Sequence, residues 1–183
     1  LKQKGEKIVH DPRLIWNTLD IVAQFGGETV QSKSGHAFIK DVMREHNAAY
    51  GGEMSAHHYF RDFAYCDSGM IPWLLAMVVL SETQQTLSSL VEGMITKFPC
   101  SGEINFKVTD TQVTIQKLFD HYADQHPKID ETDGVSLDFG AWRFNVRASN
   151  TEPLLRLNIE SRLDRNPKPM QAYVDELTAL IQA

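Results

Sequence analysis

Short apolar segments alternate with amphipathic ones along the first part of the chain. Residues 8–10 predict a short strand, and Asp11-Pro12 after them predicts the cap and first turn of a helix that ends near residue 25. Residues 28–33 predict a second strand, after which positions from 39 to 46 recur at helical spacing. This order predicts an α/β layer architecture whose strand-to-helix loops open on one edge of a sheet, where ligands usually bind.

The next stretch predicts a third strand at 48–50, an extended segment at 59–65, and helices at 70–81 and 87–97. The first of these helices carries the longest apolar run of the chain, which contains a proline and is well short of the roughly 20 residues that span a bilayer. We interpret it as a buried helix. Phe98-Pro99 then interrupts the helical pattern, and we place a domain boundary there, between residues 1–97 and 98–183.

The second half has a different order of elements. A strand at 102–108 and a long helix at 111–125 precede three extended segments and a last helix with one apolar stripe. Two of the extended segments alternate strictly, with Trp142, Phe144 and Val146 on one face of the strand that contains Arg147. This pattern predicts a second domain of the α+β class, a small antiparallel sheet with helices on one face.

Composition and charge exclude several function classes. The chain has 24 acidic against 18 basic residues and a net charge of -6, which argues against a general nucleic-acid or anionic-membrane binder. The two cysteines, Cys66 and Cys100, are too few for a disulfide framework, and no cationic segment followed by an apolar one opens the chain. We therefore expect a cytoplasmic protein, and the abrupt start at Leu1 suggests a part of a larger one.

The strongest candidate for chemistry is the segment 147–153, which lies between two predicted strands. It supplies a guanidinium, two hydroxyls, an amide and a turn of backbone N–H groups, the donors that a phosphate dianion needs. These side chains are Arg147, Ser149, Asn150 and Thr151. On spacing alone, a polar hairpin with a surface arginine is an equally good interpretation. If the Arg147 guanidinium is buried in an internal ion pair, or faces solvent away from the cleft, the assignment built on this segment loses its physical basis.

Two motifs together resemble a known family. Arg-x-Ser-Asn-Thr-Glu-Pro at 147–153 resembles the phosphate-binding signature of the α-D-phosphohexomutases, and Gly-Glu-Met-Ser-Ala-His at 52–57 resembles their sugar-binding loop. Residues 34–40 also resemble the Gly-His helix start of that family, and 51–60 are especially similar to its bacterial phosphomannomutases. The resemblance covers nearly the whole chain and corresponds to the third and fourth domains of a four-domain enzyme.

The resemblance implies a TATA-box-binding-protein-like arrangement for the second domain and an activity for the intact protein. Such enzymes move phosphate between the 1- and 6-hydroxyls of a hexose through a phosphoserine and a bisphosphate intermediate. It implies that the residues of 147–151 grip phosphate, that Glu53 and Ser55 hold the sugar, and that Arg13 is a basic substrate contact. It further implies that His36 and His57 supply positive potential or proton transfer. Arg13, His36 and His57 each have a structural alternative, at a helix start or in a loop. Lys33 has the same ambiguity as Arg13, between a substrate contact and a solvated residue.

Neither the phosphoserine loop nor the magnesium loop of the family occurs in the chain, so we expect Mg²⁺ and the phosphoserine to belong to earlier domains and this chain to be inactive alone. Its expected partners are a hexose phosphate and the N-terminal domains of the same protein, with no nucleic acid and no membrane. Phosphoglucomutase or dual specificity, a noncatalytic phosphosugar-binding module and a purely structural domain are the alternatives. We interpret Asp130-Glu131-Thr132-Asp133-Gly134 as a solvated turn, and we reject a zinc site at His57-His58 with Cys66.

Overall fold

The computed structural model describes residues 5–149, 154–165 and 167–183. The chain divides into two compact units, Leu1–Met94 and Ile95–Ala183. The division falls within a helix, near the domain boundary that the sequence predicts. Among the described residues, none of the helices is both long enough and apolar enough to cross a membrane.

The first unit is built on a mixed five-stranded sheet. Its elements are β1 (Lys7–His10), α1 (Trp16–Gln24), β2 (Glu28–Gln31), α2 (His36–Glu45), β3 (Tyr50–Gly52), β4 (His58–Phe60), β5 (Cys66–Asp67), α3 (Met70–Thr83) and α4 (Leu87–Lys97). The strand order is β2-β1-β3-β4-β5; β1 is parallel to β2 and β3, and β4 is antiparallel to β3 and β5. The α/β class predicted for this half is confirmed, with an antiparallel edge added to the parallel strands.

The core of the first unit lies between α2 and the sheet. Val9 of β1, Ile39 and Met43 of α2, Ala48 and Tyr59 form one cluster of buried side chains. The helical spacing predicted for 39–46 places Ile39 and Met43 on the face of α2 that meets the sheet, and both are fully buried.

Two predicted boundaries in this unit are wrong for a local reason. Helix α1 begins at Trp16 and not at Asp11, because the Asp11 carboxylate accepts hydrogen bonds from the backbone N–H groups of Arg13 and Met54 instead of capping a helix. The third strand occupies Tyr50–Gly52 and not 48–50, because the Ala48 N–H donates to the carbonyl of Met43 and ends α2. The extended segment predicted at 59–65 contains β4 and a 3₁₀ turn, Arg61–Phe63.

The prediction that residues 70–80 form a buried helix is only half right. They belong to α3, but seven of its large apolar side chains are 44% to 66% exposed; these are Met70, Trp73, Leu74, Leu75, Met77, Val78 and Val79. Their order around the helix gives no polar face, and the sheet of the first unit is packed against α1 and α2. The hydrophobicity of this segment predicted the helix correctly but predicted its burial wrongly.

The second unit is a five-stranded antiparallel sheet with two helices. Its elements are β6 (Cys100–Lys107), α5 (Thr111–Tyr122), β7 (Lys128–Asp130), β8 (Val135–Asp138), β9 (Trp142–Ala148), β10 (Leu154–Ser161) and α6 (Met170–Gln182), in the strand order β6-β10-β9-β8-β7. The α+β class and the antiparallel sheet are confirmed. The three-residue edge strand β7 was not predicted, because it is too short to show an alternating pattern.

The alternation predicted for β9 and β10 gives this sheet one apolar face and one polar face. Phe144 and Val146 join a buried cluster with Leu118 of α5 and Leu177 of α6, so both helices pack on the apolar face. The opposite face is polar yet also buried in part, and Arg143 donates to Glu160 across the two strands at 2.7 Å. Arg147 lies on this polar face, at the end of β9.

Candidate functional site

Three loops follow the carboxyl ends of the parallel strands β1, β2 and β3 in the first unit. They carry Asp11 and Arg13, Gly35 and His36, and the segment 53–57, respectively. Parallel strands end on the same edge of a sheet, so the prediction that the loops at Asp11 and at 34–36 share an edge is confirmed, and the pairing of β3 with β1 adds the loop at 53–57. The structure brings Arg13 beside Ser55 and His36 beside His57, and it fixes the Glu53 carboxylate on the same sheet edge.

Glu53 is held on both sides of its carboxylate. Its Oε1 accepts a hydrogen bond of 2.7 Å from the Gly35 N–H, and its Oε2 accepts one of 2.6 Å from the Tyr59 hydroxyl. Gly35 has φ = 121°, a conformation that favours glycine. Burial and the hydrogen bond to Glu53 both raise the pKa of Tyr59, so that its hydroxyl stays a donor. Glu53 is 8% exposed and has a fixed position at the end of β3.

Arg13 and Ser55 meet beside Asp11. The Arg13 guanidinium donates to Asp11 Oδ2 from Nη2 at 2.6 Å and from Nε at 3.1 Å, and its Nη2 lies 3.4 Å from Ser55 Oγ. Both charged residues are buried, whereas Ser55 is exposed. The structural alternative of a solvated helix start for Arg13 is wrong, because the guanidinium is enclosed in an ion pair that reaches the predicted sugar loop.

The two candidate histidines are adjacent. The rings of His36 and His57 lie edge to face with 4.5 Å between their centroids. His57 Nδ1 is 2.8 Å from Asp67 Oδ2, and His36 Nε2 is 4.0 Å from the same oxygen. Asp67 Oδ1 accepts from the His58 N–H at 2.9 Å. Burial alone raises the pKa of Asp67, but these hydrogen bonds and the nearby imidazoles outweigh it and hold the pKa below its usual value of 3.8.

The histidine pair has the composition of a metal site that the sequence did not indicate. One ligand atom each from His36, His57 and Asp67 lie within 4.8 Å of one another. Two imidazoles and one carboxylate suit a transition metal, whereas Mg²⁺ prefers oxygen ligands, so this group does not fit the magnesium of the resemblance. The rejected zinc arrangement with Cys66 is not found in this cluster, and His58 instead bonds through Nδ1 to the Tyr50 hydroxyl at 2.6 Å.

A pocket of about 190 Å³ adjoins the predicted sugar loop. Asp11 and Glu53 supply its acidic lining, and Leu14, Tyr50 and Met54 supply apolar surface. Lys33 is exposed, with its Nζ 6.0 Å from the centre of the Phe38 ring. An acidic, partly apolar pocket beside a fixed carboxylate can accept hydrogen bonds from ring hydroxyls and pack the face of a sugar.

In the second unit, the predicted phosphate segment begins at the end of β9. Asn150 and Thr151 lie outside the described residues; the Ser149 N–H donates to the carbonyl of Leu154 at 2.8 Å, which joins the two strands beside the turn. Gly134, with φ = 68°, lets the chain pass close to β9: a Cβ there would lie 2.5 Å from the Cβ of Arg147. The segment at Gly134 therefore packs directly against Arg147 and helps to hold this part of β9 in place.

Arg147 has an acidic neighbour. It is 8% exposed, and its Nη2 lies 3.8 Å from Glu103 Oε2, while Nη1 of Arg156 lies 3.7 Å from Glu103 Oε1. Both separations are longer than hydrogen bonds. A buried ion pair counts against a guanidinium held open for phosphate, so any anion must compete with the Glu103 carboxylate.

The structure adds residues that the sequence reading missed. Asp11, Tyr59 and Asp67 each fix a predicted site residue of the first unit, and Glu103 faces Arg147 in the second. Asp11 had a visible signal, an acidic residue directly after a strand, but it was interpreted as a helix cap. Tyr59 lies within the motif at 51–60 but had no role assigned, and Asp67 and Glu103 belong to strands outside the motifs.

Comparison with known proteins agrees with this organisation. Residues 1–98 match the family model for the phosphoglucomutase/phosphomannomutase α/β/α domain III, and residues 103–176 match that for the C-terminal domain of the same family. A curated protein of Xanthomonas campestris named "Phosphohexose mutases" is 63% identical over 89% of the chain and 36% of its own length. The phosphomannomutase of Vibrio cholerae is 56% identical over 99% of the chain and 39% of its own length. The chain thus spans less than half the length of these relatives.

Solved structures show the same fold. A phosphoglucomutase/phosphomannomutase family protein from Burkholderia thailandensis superposes with a TM-score of 0.74 at 24% identity, over 99% of this chain and 39% of that one. An N-acetylphosphoglucosamine mutase from Aspergillus fumigatus, solved with GlcNAc-6P and magnesium, superposes with a TM-score of 0.61 at 12% identity over 96% of this chain and 38% of that one. From its two family domains and these relatives, the chain belongs to the phosphoglucomutase/phosphomannomutase family, of which it carries domain III and the C-terminal domain.

Proposed function

We propose that the chain is the substrate-recognition part of a phosphomannomutase that interconverts mannose 6-phosphate and mannose 1-phosphate. The phosphoserine that exchanges the phosphoryl group belongs, in this proposal, to the N-terminal domains of the whole protein, and the chain alone is inactive. The observation that carries the proposal is the fixed carboxylate of Glu53, next to Ser55 and the acidic pocket. Relatives of high identity that are named phosphomannomutases support the same reaction.

The sugar grip follows from the geometry of Glu53. Each carboxylate oxygen has two acceptor positions, and the Gly35 N–H and Tyr59 hydroxyl use one position of each oxygen. The remaining positions can accept from two adjacent ring hydroxyls, which stay nearly superposed when the sugar turns end to end. Ser55, exposed on the same loop, can add a hydrogen bond. The carboxylate therefore holds the hexose in both poses that a mutase requires.

The phosphate grip requires Arg147 to exchange one anion for another. Glu103 offers a single negative charge at 3.8 Å, beyond hydrogen-bond distance. A phosphate dianion offers more charge and can accept two parallel hydrogen bonds from one guanidinium. Ser149, Asn150 and Thr151 complete this grip in the proposal. We therefore expect a bound phosphate to replace the loose contact with Glu103.

Arg13 and the histidine pair have supporting roles in the proposal. Arg13 reaches Ser55 from its ion pair with Asp11, so it orders the sugar loop beside the substrate. His36 and His57 place two titratable imidazoles beside the same loop, where one can exchange a proton with a substrate hydroxyl. Magnesium, bound by the earlier domains in the whole enzyme, supplies charge neutralisation at the phosphoryl group.

A second candidate is a mutase that accepts both mannose and glucose phosphates. The two sugars differ at one hydroxyl, and a carboxylate that binds two adjacent hydroxyls elsewhere on the ring does not separate them. Turnover of each sugar phosphate by the full-length enzyme decides between these candidates. A noncatalytic phosphosugar-binding module would bind both ligands and turn over neither.

The test of the site uses the chain itself. Mannose 6-phosphate is added to the ¹⁵N-labelled chain to millimolar concentration, with mannose and inorganic phosphate as separate ligands. We expect mannose to shift the amides of Gly35 and Glu53, phosphate to shift those of Arg147 and Ser149, and mannose 6-phosphate to shift both sets. Unchanged amides near Arg147 at millimolar phosphate would remove the phosphate assignment.

In the full-length enzyme, Arg147→Ala removes a charge-assisted contact worth about 1.5–3 kcal/mol, so we expect a loss of roughly ten- to a hundredfold in kcat/KM. Glu53→Ala is expected to cost a similar factor through loss of sugar binding. The matched control is Arg165→Ala, since Arg165 is exposed and pairs only loosely with Asp164, at 4.0 Å. Wild-type kinetics in both site variants would show that the assigned roles are wrong.

A further inference from the structure

Asp67 faces both candidate histidines, although nothing in its sequence motif marks it as a functional residue. The carboxylate lies on the edge strand β5, where Asp67 is paired with Tyr59 of β4, and it is about one-third exposed. One oxygen accepts from the His58 N–H at 2.9 Å and the other lies 2.8 Å from His57 Nδ1. The backbone contact holds the carboxylate in place, so the oxygen facing His57 has a defined position.

We propose that Asp67 is a positioning residue that fixes which ring nitrogen of His57 carries the proton during phosphoryl transfer. The inference rests on the proposed function, because it assigns His57 a proton-transfer role in that reaction. A carboxylate can only accept, so at 2.8 Å the proton between the two groups must be donated by Nδ1. In neutral His57, Nε2 is then the nitrogen with the free lone pair. Asp67 thereby makes Nε2 the base.

The charged and titratable groups around this pair fit that arrangement. His36 Nε2 lies 4.0 Å from the same Asp67 oxygen, so the carboxylate also attracts the second imidazole when it is protonated. Tyr59 contacts the His36 ring edge to face at 5.3 Å, but its hydroxyl is already donated to Glu53. Among the groups described here, Asp67 is the acceptor that orients His57.

The step assigned to His57 is balanced in both directions. The proton of the attacking sugar hydroxyl goes to Nε2 as its oxygen bonds to phosphorus, and the bond from phosphorus to the donor oxygen breaks with the electron pair on that oxygen. In reverse, Nε2–H returns the proton to the sugar oxygen as its bond to phosphorus breaks. With the opposite tautomer, Nε2 would already carry a proton and could not accept one.

The direct test reads the tautomer in the chain without any ligand. Long-range ¹H–¹⁵N correlation spectra of the imidazole rings show which nitrogen of neutral His57 carries hydrogen. We expect Nδ1–H in the wild type. In Asp67→Asn, the amide oxygen keeps the His58 N–H and the amide NH₂ faces Nδ1, so the proton is expected to move to Nε2. An Nε2–H tautomer in the wild type, or no change in Asp67→Asn, would overturn the inference.

The second test measures turnover by the full-length enzyme. We expect Asp67→Asn to lower kcat by about 10²–10⁴-fold, the size of a general acid–base contribution, with little change in KM. Asp62→Asn is the control, because Asp62 lies in the same unit and its side chain is 95% exposed. If Asp67→Asn is as active as the control, the positioning role is wrong while the mutase proposal stands. If the tautomers are as expected but the enzyme turns over neither hexose phosphate, the mutase proposal fails and the histidine–carboxylate pair stands.

Discussion

Replacing Glu53 by glutamine tests whether the hydrogen bonds of its carboxylate stabilise the first unit. The side chain keeps its shape, but one acceptor oxygen becomes an NH₂ group. Either the Gly35 N–H or the Tyr59 hydroxyl then faces a donor instead of an acceptor, since both are within 2.7 Å of the carboxylate now. The Tyr59 hydroxyl can rotate its hydrogen away from the new NH₂ group, but it then loses its hydrogen bond to residue 53.

The expected cost follows from those two hydrogen bonds. A hydrogen bond to a charged group contributes about 1.5–3 kcal/mol; the bond from Tyr59 is buried, and the bond from Gly35 is partly buried. Losing one and weakening the other predicts that Glu53→Gln lowers the free energy of unfolding of the first unit by about 2–4 kcal/mol. Glu45→Gln is the matched control, because Glu45 is exposed on α2.

Amide hydrogen exchange of β1 and β3 is the appropriate assay, because it reports the opening of the first unit separately from the second. We expect exchange of the slowest amides, such as that of Val9, to accelerate by roughly 30- to 800-fold in Glu53→Gln and to stay unchanged in Glu45→Gln, the factors being those free energies converted at 1.4 kcal/mol per tenfold. A difference between the two variants of less than about 0.5 kcal/mol would refute the argument that Glu53 is fixed by these bonds.

Three further predictions concern the second unit. Glu103→Gln removes the carboxylate that competes for Arg147, so phosphate should bind the chain more tightly than the wild type in an amide titration; weaker binding would show that Glu103 organises the site instead. Gly134→Ala should lower thermal stability and displace β9, seen as a changed amide shift of Arg147, because a Cβ would meet backbone there. Burial alone raises the pKa of Glu176, but the hydrogen bonds from the Tyr122 hydroxyl and the Lys168 ammonium outweigh burial and lower that pKa below its ordinary value of 4.5. Its stabilising effect is therefore present above about pH 4.5 and is lost as the pH falls through the lowered pKa, so the stability of Glu176→Gln, followed by amide hydrogen exchange in the second unit, should fall less on acidification than that of the wild type.

Much of the fold was predictable because periodicity records which side chains are buried. The alternation of Trp142, Phe144 and Val146 located a strand of the second sheet, and the spacing of Ile39 and Met43 located the buried face of α2. The order of elements also predicted that the loops at Asp11 and at 34–36 share a sheet edge, whereas the loop with Glu53 joins them through the pairing of β3 with β1.

The contacts within the site were less predictable, because they depend on strand pairing. Asp67 reaches His57 only because β5 pairs with β4, and Glu103 nears Arg147 only because β10 lies between β6 and β9. Asp11 was misread since an aspartate after a strand has the same local signature whether it caps a helix or holds distant N–H groups. The pattern of residues around one position does not show which side chains from distant strands will lie next to it in the fold.

The exposed helix α3 also changes the thermal behaviour expected of the chain. The heat-capacity change of unfolding reports apolar surface that water reaches only after unfolding. Seven large apolar side chains among the 14 residues of α3 are 44% to 66% exposed, so about half of their surface is already in contact with water. At the usual 12–15 cal/mol/K per residue, half of the contribution of 14 residues is missing, so calorimetry should find a value about 0.1 kcal/mol/K below that of a fully packed chain of this length. The curve of stability against temperature is correspondingly flatter.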